Sequence, residues 1–422
     1  MELINQYDRL LKNKIKDLLN GIGALVIKGP SGTGKNYLAK QFAKTIFDIK
    51  EETEQKKLLL ELNQGKKIFS FQHLNKPILI KNWDLIPQIW DQVRILIDQS
   101  YGQSGLYILT NSNQADYNQI NHNGAGRLYE IKIRTLTFAE LLNDQPQISL
   151  SDLFTHKNIK FVGSIYEINS IANLLLIGGW PYLKSFVDPS RKKINDYLNK
   201  QIENFTINTL STRVSNDLIL NLFNSLLEFI DQPINKIKLL NLINNQINPK
   251  TLFKYIQDLE SKYLIFYLES WNKIKNIRLK RTKKLYLCDS SIGLKSLNIE
   301  NEFQLLNNLE IFQTYFKNQV IKDLMVYTDL LEAQLFSYET SNGLSIDLIM
   351  ELKNENWAAI EICLGGNQVE KAASKLKHFV KQIEKNEPQI KKPEFLLIIT
   401  AENFSYKYDD NIFVIPHTCL KN

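Results

Sequence analysis

Cysteine is scarce in this chain of 422 residues, which contains only Cys288, Cys363 and Cys419. The three lie far apart, form no C-x-x-C pair and have no histidine at metal-ligand spacing. This spacing excludes a disulfide framework and a zinc site of the usual kinds. We therefore predict three reduced thiols. For Cys363 we predict a small buried residue, because no basic neighbour marks it as a reactive thiolate.

Long apolar runs are also missing, since no stretch reaches the roughly 18 consecutive apolar residues of a membrane-spanning helix. The first nine residues carry charges where a signal peptide needs an apolar stretch. The sequence therefore predicts a cytoplasmic protein without a membrane partner. With 44% hydrophobic residues, the chain is long enough for two or three domains that each have a core.

Acidic residues are absent from one short segment, residues 273–284, which we call the basic segment. Its seven basic residues match the net charge of +7 of the whole chain. Such a cluster is typical of a surface that neutralises phosphates, although a solvated face is the alternative. The candidate nucleic-acid contacts are Arg278, Lys280, Arg281, Lys283 and Lys284.

A nearly complete phosphate-binding motif occupies residues 29–36, with the sequence G-P-S-G-T-G-K-N. It follows the P-loop pattern G-x-x-x-x-G-K-[ST] up to its last position, which is Asn36. An apolar strand is predicted at residues 24–27, and a helix is predicted to follow and to run through Ile46. Nucleotide binding is the leading hypothesis, and a glycine-rich turn is the alternative. The candidate ligand-binding residues are Gly29, Ser31, Gly32, Thr33, Gly34, Lys35 and Asn36.

The residues that hold Mg²⁺ in a P-loop enzyme are replaced here. That ion is usually bound by the P-loop hydroxyl and by a carboxylate at the end of a later strand. Asn36 offers an amide, and the strand predicted at residues 77–80 is followed by Lys81 and Asn82. These residues argue against an ordinary Mg²⁺ site, and we predict that Lys81 brings its ammonium group to the position of the metal. Asp84 is the alternative acidic residue.

A further strand is predicted at residues 106–110, and it is followed by polar Asn111. Strands that alternate with helices indicate a parallel sheet, whose ligands bind beyond the carboxyl ends of the strands. A P-loop ATPase has its phosphate-sensing side chain at this position, so Asn111 is a candidate contact to the phosphates.

Several longer strings resemble the prokaryotic AAA-superfamily ATPases that end in a C-terminal domain of unknown function. They lie at residues 76–80, 86–94, 110–112, 122–127, 134–140, 178–181, 271–289, 323–327 and 357–362. The resemblance covers nearly the whole chain and implies that ATP is the ligand. It also implies that Arg127 is a sensor or finger arginine that approaches the γ-phosphate.

The same resemblance implies an α/β protein in three parts. An AAA-type P-loop domain with a parallel sheet would span residues 1–185, a helical and winged-helix region 186–295, and a domain related to PD-(D/E)XK nucleases 296–422. In the middle part, Asn235 and Asn248 are predicted helix caps. The apolar stripe of Leu252, Tyr255, Ile256 and Leu259 predicts the second of the two helices. Winged helices contact DNA or other proteins, and both partners stay open.

Nuclease activity is not expected. The resemblance places Asp347 and Glu361 at two acidic positions of the nuclease motif, but Cys363 stands where a lysine belongs. Lys317 lies at or near the position of an upstream glutamate. A neutral thiol cannot replace the charge of a lysine, so we interpret the two acids as exposed residues at strand ends rather than as metal ligands.

The leading prediction is an ATP-binding protein of the AAA superfamily in which hydrolysis is impaired or lost. One alternative is a working ATPase that uses Asp84 as a displaced acidic residue. The other is a nucleotide-independent DNA-binding or scaffold protein with a relic P-loop.

Overall fold

The computed structural model describes residues 8–63, 71, 73–114, 120–142, 147–184, 189–206, 215–273, 279–280 and 282–422. Its backbone divides into two compact units. Unit 1 comprises the chain up to Thr135 together with Ser261–Tyr263, and unit 2 comprises Leu136–Glu260 and Leu264–Asn422. The three-part division with boundaries near residues 185 and 295 stays a prediction.

Unit 1 is an α/β sandwich around one parallel sheet. Its elements are α1 (Lys12–Gly21), β1 (Ala24–Lys28), α2 (Lys35–Lys40), β2 (Thr45–Asp48), α3 (Glu52–Asn63), β3 (Ile78–Lys81), a 3₁₀ turn (Trp83–Leu85), α4 (Gln88–Gln99), β4 (Tyr107–Asn111) and β5 (Leu128–Lys132). The strand order is β2-β3-β4-β1-β5, and every neighbouring pair is parallel. The carboxyl ends of all five strands therefore meet at one edge, as the sequence predicted.

The prediction that the helix after the P-loop runs through Ile46 is wrong. Helix α2 ends at Lys40, and the chain forms β2 from Thr45. A β-branched or aromatic run of Thr45, Ile46 and Phe47 favours a strand. Pairing of Thr45 with Ile78 then places β2 at the edge of the sheet.

Unit 2 begins with a mainly helical half. Its elements are α5 (Phe138–Leu141), β6 (Ile148–Ser149), α6 (Leu150–Phe154), α7 (Ile168–Ile177), α8 (Pro181–Lys184), α9 (Arg191–Thr206), α10 (Asn216–Leu226), a 3₁₀ turn (Leu227–Phe229), α11 (Lys236–Leu242) and α12 (Pro249–Ser261). The stripe predicted for α12 is buried, and both predicted caps form. Asn235 accepts from the Ile237 amide at 3.1 Å, and Asn248 accepts from the Thr251 amide at 2.8 Å. The winged-helix assignment itself stays a prediction.

The other half of unit 2 contains a mixed sheet. Its elements are β7 (Ile265–Ser270), β8 (Lys284–Leu287), α13 (Ser290–Ser296), α14 (Glu302–Leu306), α15 (Leu309–Leu331), β9 (Ala333–Glu339), β10 (Ser345–Leu352), β11 (Trp357–Ile362), α16 (Asn367–Asn386), β12 (Phe395–Thr400), β13 (Tyr406–Asp409), β14 (Ile412–Pro416), a 3₁₀ turn (His417–Cys419) and β15 (Leu420–Lys421). Eight strands follow the order β13-β14-β12-β11-β10-β9-β7-β8. Strands β10 and β11 are antiparallel, and Leu348 opposite Ile360 places Asp347 beside Glu361.

In the described part of the chain, no helix is both long and apolar enough to cross a lipid bilayer. All three cysteines are buried. Burial raises the pKa of the Cys363 thiol to about 12, so the prediction of a small buried residue at this position is confirmed.

Candidate nucleotide site and a second charge cluster

The P-loop connects the interior strand β1 to α2 at the carboxyl edge of the parallel sheet. Gly29 has a φ of 149°, and a Cβ atom there would lie 2.0 Å from the carbonyl oxygen of Ile133. Gly34, the residue before α2, has a φ of 81°, in the left-handed region that favours glycine. The loop backbone therefore needs these glycines, and it leads directly to the N-terminus of a helix, where phosphates bind.

Lys35 is the first residue of α2, and its side chain is buried in the loop. Its Nζ donates to the carbonyl oxygens of Gly29 at 2.7 Å and Pro30 at 2.6 Å. Burial lowers the pKa of Lys35 to about 7, although the nearby carboxylate of Asp84 opposes this shift. A bound phosphate would favour the charged ammonium, so the loop provides a cation that responds to an anionic ligand.

Asn36 is held by the neighbouring strand. Thr110, in β4, donates its hydroxyl hydrogen to Oδ1 of Asn36 at 2.6 Å. The amide oxygen that would replace the usual metal-binding hydroxyl therefore already accepts a short hydrogen bond. Next to Thr110, the buried Asn111 lies opposite Lys28, at the foot of the P-loop. The structure thus places Asn36 and Asn111 together at the predicted site.

The end of β3 departs from the prediction for Lys81. The Lys81 ammonium forms an ion pair with Asp48, the last residue of β2, and Asn82 Nδ2 donates to Asp48 Oδ1 at 2.7 Å. Burial opposes ionisation of Asp48, but donors from Lys81, the Lys50 amide and Asn82 hold its pKa below the usual value. The charge of Lys81 is therefore compensated by Asp48, which sequence analysis missed because Asp48 lies just beyond a wrongly predicted helix.

Asp84 is the acidic residue that the structure brings to Lys35. It lies in the 3₁₀ turn after β3, and its Oδ1 is buried without a hydrogen-bond partner among the described residues. Burial raises the pKa of Asp84, while the positive charges of Lys50 and Lys35 oppose the rise. The raised pKa makes the Asp84 carboxylate a stronger base than that of an exposed aspartate, close to the P-loop lysine.

Arg127 lies at the other edge of the sheet. It immediately precedes β5, and its carbonyl oxygen accepts from the amide of Ala24, the first residue of β1. The P-loop follows the last residue of β1, so the full length of the strand separates the two. Arg127 Nε instead donates to Asp98 Oδ1 at 2.8 Å. An approach of Arg127 to a γ-phosphate held by this P-loop does not fit that position.

Arg9 is a buried residue of this site that no sequence motif indicated. One terminal nitrogen donates to the Thr33 carbonyl oxygen at 3.2 Å, and the other donates to the Arg134 carbonyl oxygen at 2.7 Å. Arg9 thereby connects the P-loop backbone to the segment that follows β5. Only the folded chain shows this contact, because Arg9 and Arg134 are far apart in sequence.

The two acids of the nuclease-like motif form a second cluster, in unit 2. Asp347 and Glu361 are buried, so their interpretation as exposed residues is wrong. The antiparallel pairing of β10 and β11 turns both side chains into the protein. Lys317 pairs with Asp347 at 2.8 Å, and Lys375 pairs with Glu361 at 2.7 Å. In the described parts of the chain, no group of three or more His, Cys, Asp or Glu residues is arranged to hold a metal ion.

Burial and the neighbouring Asp347 raise the pKa of Glu361 to about 7, although Lys375 opposes the rise. The folded protein therefore binds a proton here between the ordinary glutamate pKa and about pH 7, where the unfolded chain does not. This extra proton makes the folded state less stable as the pH rises through that window. We expect Glu361→Gln to flatten the dependence of Tm on pH between about 4.5 and 7. Melting curves across the window measure it, and an unchanged slope would contradict the assignment.

The lysines of the basic segment face carboxylates. Lys280 pairs with Glu339 at 2.6 Å, Lys283 pairs with Glu269 at 2.5 Å, and Lys284 lies 3.4 Å from Asp231. Lys273, at the start of the segment, pairs with Glu351 and Glu355. Arg278 and Arg281 lie outside the described residues. The positive charge of the four described lysines is thus largely compensated within the protein.

Family comparisons agree with the geometry of unit 1. Residues 22–142 match the family model described as an AAA domain. The N-terminal unit therefore resembles a P-loop ATPase in its fold. Residues 168–302 and 313–420 match two families described as domains of unknown function, DUF8612 and DUF4143. No curated protein matches the chain.

Two solved structures show a distant likeness to this chain. A Walker-type ATPase of Pyrococcus abyssi, at 12% identity and a TM-score of 0.44, covers 69% of this chain and 96% of its own. The replication initiator DnaA bound to AMPPCP and single-stranded DNA, at 14% identity and a TM-score of 0.27, covers 61% of this chain and 89% of its own. At these scores, the assignment depends on the family match and the P-loop.

Proposed function

We propose that unit 1 binds ATP in the P-loop and hydrolyses it slowly or not at all. The main support for this proposal is the geometry of the P-loop. Its glycines adopt the conformations that the loop needs, and Lys35 lies in its centre at the N-terminus of α2. The match of residues 22–142 to the AAA domain supports the same ligand.

Impaired hydrolysis is supported by the surroundings of the loop. The Asn36 amide oxygen accepts from Thr110, so it is a poor metal ligand. Lys81 and Asn82 stand where a P-loop ATPase has acids, and both contact Asp48. Asp48 already accepts from these two side chains, so Mg²⁺ would have to compete with both donors for its carboxylate. We therefore propose that ATP binds with little help from the metal.

A slow ATPase that uses Asp84 is the second candidate. The buried, unpartnered Oδ1 of Asp84 favours it, because burial raises the pKa of this group and so makes its carboxylate a stronger base towards water. Lys35 and Lys50 would also hold this carboxylate near bound phosphates. The two candidates share the same binding site and differ only in turnover.

One pair of measurements on the full chain separates them. We expect ATP to bind with similar affinity in EDTA and in millimolar Mg²⁺, measured by calorimetry, and phosphate release to stay at background. Steady phosphate release that Asp84→Asn abolishes and Asp98→Asn leaves intact would favour the Asp84 mechanism. Asp98 is the matched control, because it lies beside Arg127 at the opposite edge of the sheet. No binding in either buffer would refute both candidates and leave a relic P-loop.

Association with DNA through the middle region stays a prediction. The helices α11 and α12 and the antiparallel pair β7 and β8 support a winged helix by their order along the chain. The ion pairs of the basic segment weaken the case for phosphate contacts, because a paired lysine must lose its carboxylate before it can release counterions from DNA. A scaffold role of this region is equally compatible with these elements.

A further inference from the structure

We propose that the charge cluster of unit 2 is built to work without a metal ion, with the Lys317 ammonium in the place of a divalent cation. The resemblance to PD-(D/E)XK nucleases implies a metal at Asp347 and Glu361. The structure shows a third carboxylate at the same cluster, that of Asp231, which follows the 3₁₀ turn at Leu227–Phe229. Lys317 lies between Asp231 and Asp347, at 2.9 Å and 2.8 Å.

Every carboxylate oxygen of the central pair already accepts a hydrogen bond from the protein. Asp347 Oδ1 accepts from Lys317, and its Oδ2 accepts from the Ile362 amide at 2.9 Å. Glu361 Oε1 accepts from the Asp347 amide at 3.0 Å, and its Oε2 accepts from Lys375 at 2.7 Å. A metal ion would have to compete for these oxygens with two ammonium groups and two backbone amides.

Asp231 is satisfied in the same way. Its Oδ1 accepts from the Tyr286 hydroxyl at 2.6 Å and lies 3.4 Å from Lys284 Nζ, while its Oδ2 accepts from Lys317. The cluster therefore contains three carboxylates and three ammonium groups. Above about pH 7, where Glu361 is ionised, these charges balance, and a divalent cation added to them would leave a positive excess in a partly buried site.

The position of Lys317 also defines what the cluster does. Helix α15 supplies this lysine, β10 supplies Asp347, and the loop before α11 supplies Asp231. One ammonium group thus connects three segments that are distant in sequence. Removal of one partner from such a largely buried network leaves charges that water solvates poorly, which destabilises the fold. We infer that the constellation serves the stability of unit 2 in place of metal-dependent cleavage.

The experiment measures Tm of the full chain, without nucleotide, in EDTA, in millimolar Mg²⁺ and in millimolar Mn²⁺. We expect wild-type Tm to be the same in all three, because a metal that does not bind the folded state cannot stabilise it. Lys317→Ala should lower Tm in EDTA by roughly 5 to 15 °C. Millimolar Mn²⁺ should recover part of this loss, and adding Asp347→Asn should abolish the recovery. Lys353→Ala, which breaks an exposed pair with Glu332, is the matched control and should leave Tm nearly unchanged.

Three results would overturn the proposal. Stabilisation of the wild-type protein by Mn²⁺ that Asp347→Asn abolishes would show a metal site in the native cluster. A Lys317→Ala variant as stable as wild type would show that the ammonium is dispensable. A destabilised variant that Mn²⁺ does not rescue would show that Lys317 does not hold a cation position. If Lys317→Ala yields no folded protein, the test is binding of Mn²⁺ to the wild-type protein, measured by electron paramagnetic resonance. Binding that Asp347→Asn abolishes would overturn the proposal, and no such binding would support it.

Discussion

Replacement of Asp323 by alanine is expected to lower the free energy of unfolding by about 3 to 5 kcal/mol. Asp323 lies in α15 and is completely buried. Its Oδ2 accepts from the Phe138 amide at 2.9 Å and lies 2.8 Å from His417 Nε2. Its Oδ1 accepts from Lys322 Nζ at 2.7 Å, within an ion pair that has no solvent exposure on either side.

The expected loss of stability is large because the substitution leaves a buried ammonium group without its counter-ion. Lys322 would keep its hydrogen bond to the Leu136 carbonyl oxygen at 2.7 Å but would lose its counter-ion. A buried ammonium group without a carboxylate pays its full desolvation cost, whereas an exposed pair contributes little. Urea unfolding of the variant measures the loss. Glu332→Ala, which removes the exposed partner of Lys353, should cost less than about 1 kcal/mol. Equal losses in the two variants would contradict this account.

The contacts of Asp323 also explain several strings on which the family resemblance depends. The Leu136 amide donates to the Gly179 carbonyl oxygen at 2.7 Å, and the Gly179 amide donates to Asp289 Oδ2 at 2.9 Å. A Cβ atom on Gly179 would lie 2.2 Å from the Leu136 carbonyl oxygen. Residues of four of these strings, at 136–140, 178–181, 271–289 and 323–327, thus meet in one buried network of unit 2. These strings reflect the needs of the fold more than those of a reaction.

Local patterns predicted the parts of the molecule that depend on local structure. The P-loop is one, because its glycines, its lysine and the flanking strand and helix are contiguous in sequence. The stripe of α12 and its cap at Asn248 are another. Where a prediction depended on which strands are neighbours, sequence was not sufficient. Asp48 meets Lys81 only because β2 pairs with β3, and this strand was not predicted.

Contacts between residues that are distant in sequence could not be predicted, for the same reason. Lys317 and Asp231 are 86 residues apart, yet they form an ion pair. Lys317 also pairs with Asp347. The resemblance predicted that Arg127 approaches the γ-phosphate. Its actual position, at the amino ends of the strands, depends on the pairing of β5 with β1. The sequence shows which residue types are present, whereas the strand order decides which of them face one ligand.

Replacement of Lys35 by methionine is expected to weaken ATP binding about 10- to 150-fold, the usual worth of a hydrogen bond to a charged group. Methionine keeps most of the side-chain volume and removes the ammonium that would leave the Gly29 and Pro30 carbonyl oxygens for phosphate. Calorimetric titration of ATP measures the change. Lys40→Met, at the exposed end of the same helix, is the matched control and should bind as wild type. A Tm equal to that of wild type would show that the loop still folds in the variant.

The same titration also tests whether Lys35 takes up a proton when ATP binds. Burial lowers its pKa to about 7, so much of the free protein has a neutral Lys35 near pH 8, while a bound triphosphate favours the ammonium. Binding should therefore take up a fraction of a proton near pH 8, and ATP affinity should fall as the pH rises above about 7. The uptake is measured by repeating the titration in two buffers with different enthalpies of ionisation. It should be absent in Lys35→Met at high protein and ATP concentrations. Uptake that persists in this variant would assign the proton to another group, and Asp84, whose pKa burial raises, would be the next to test.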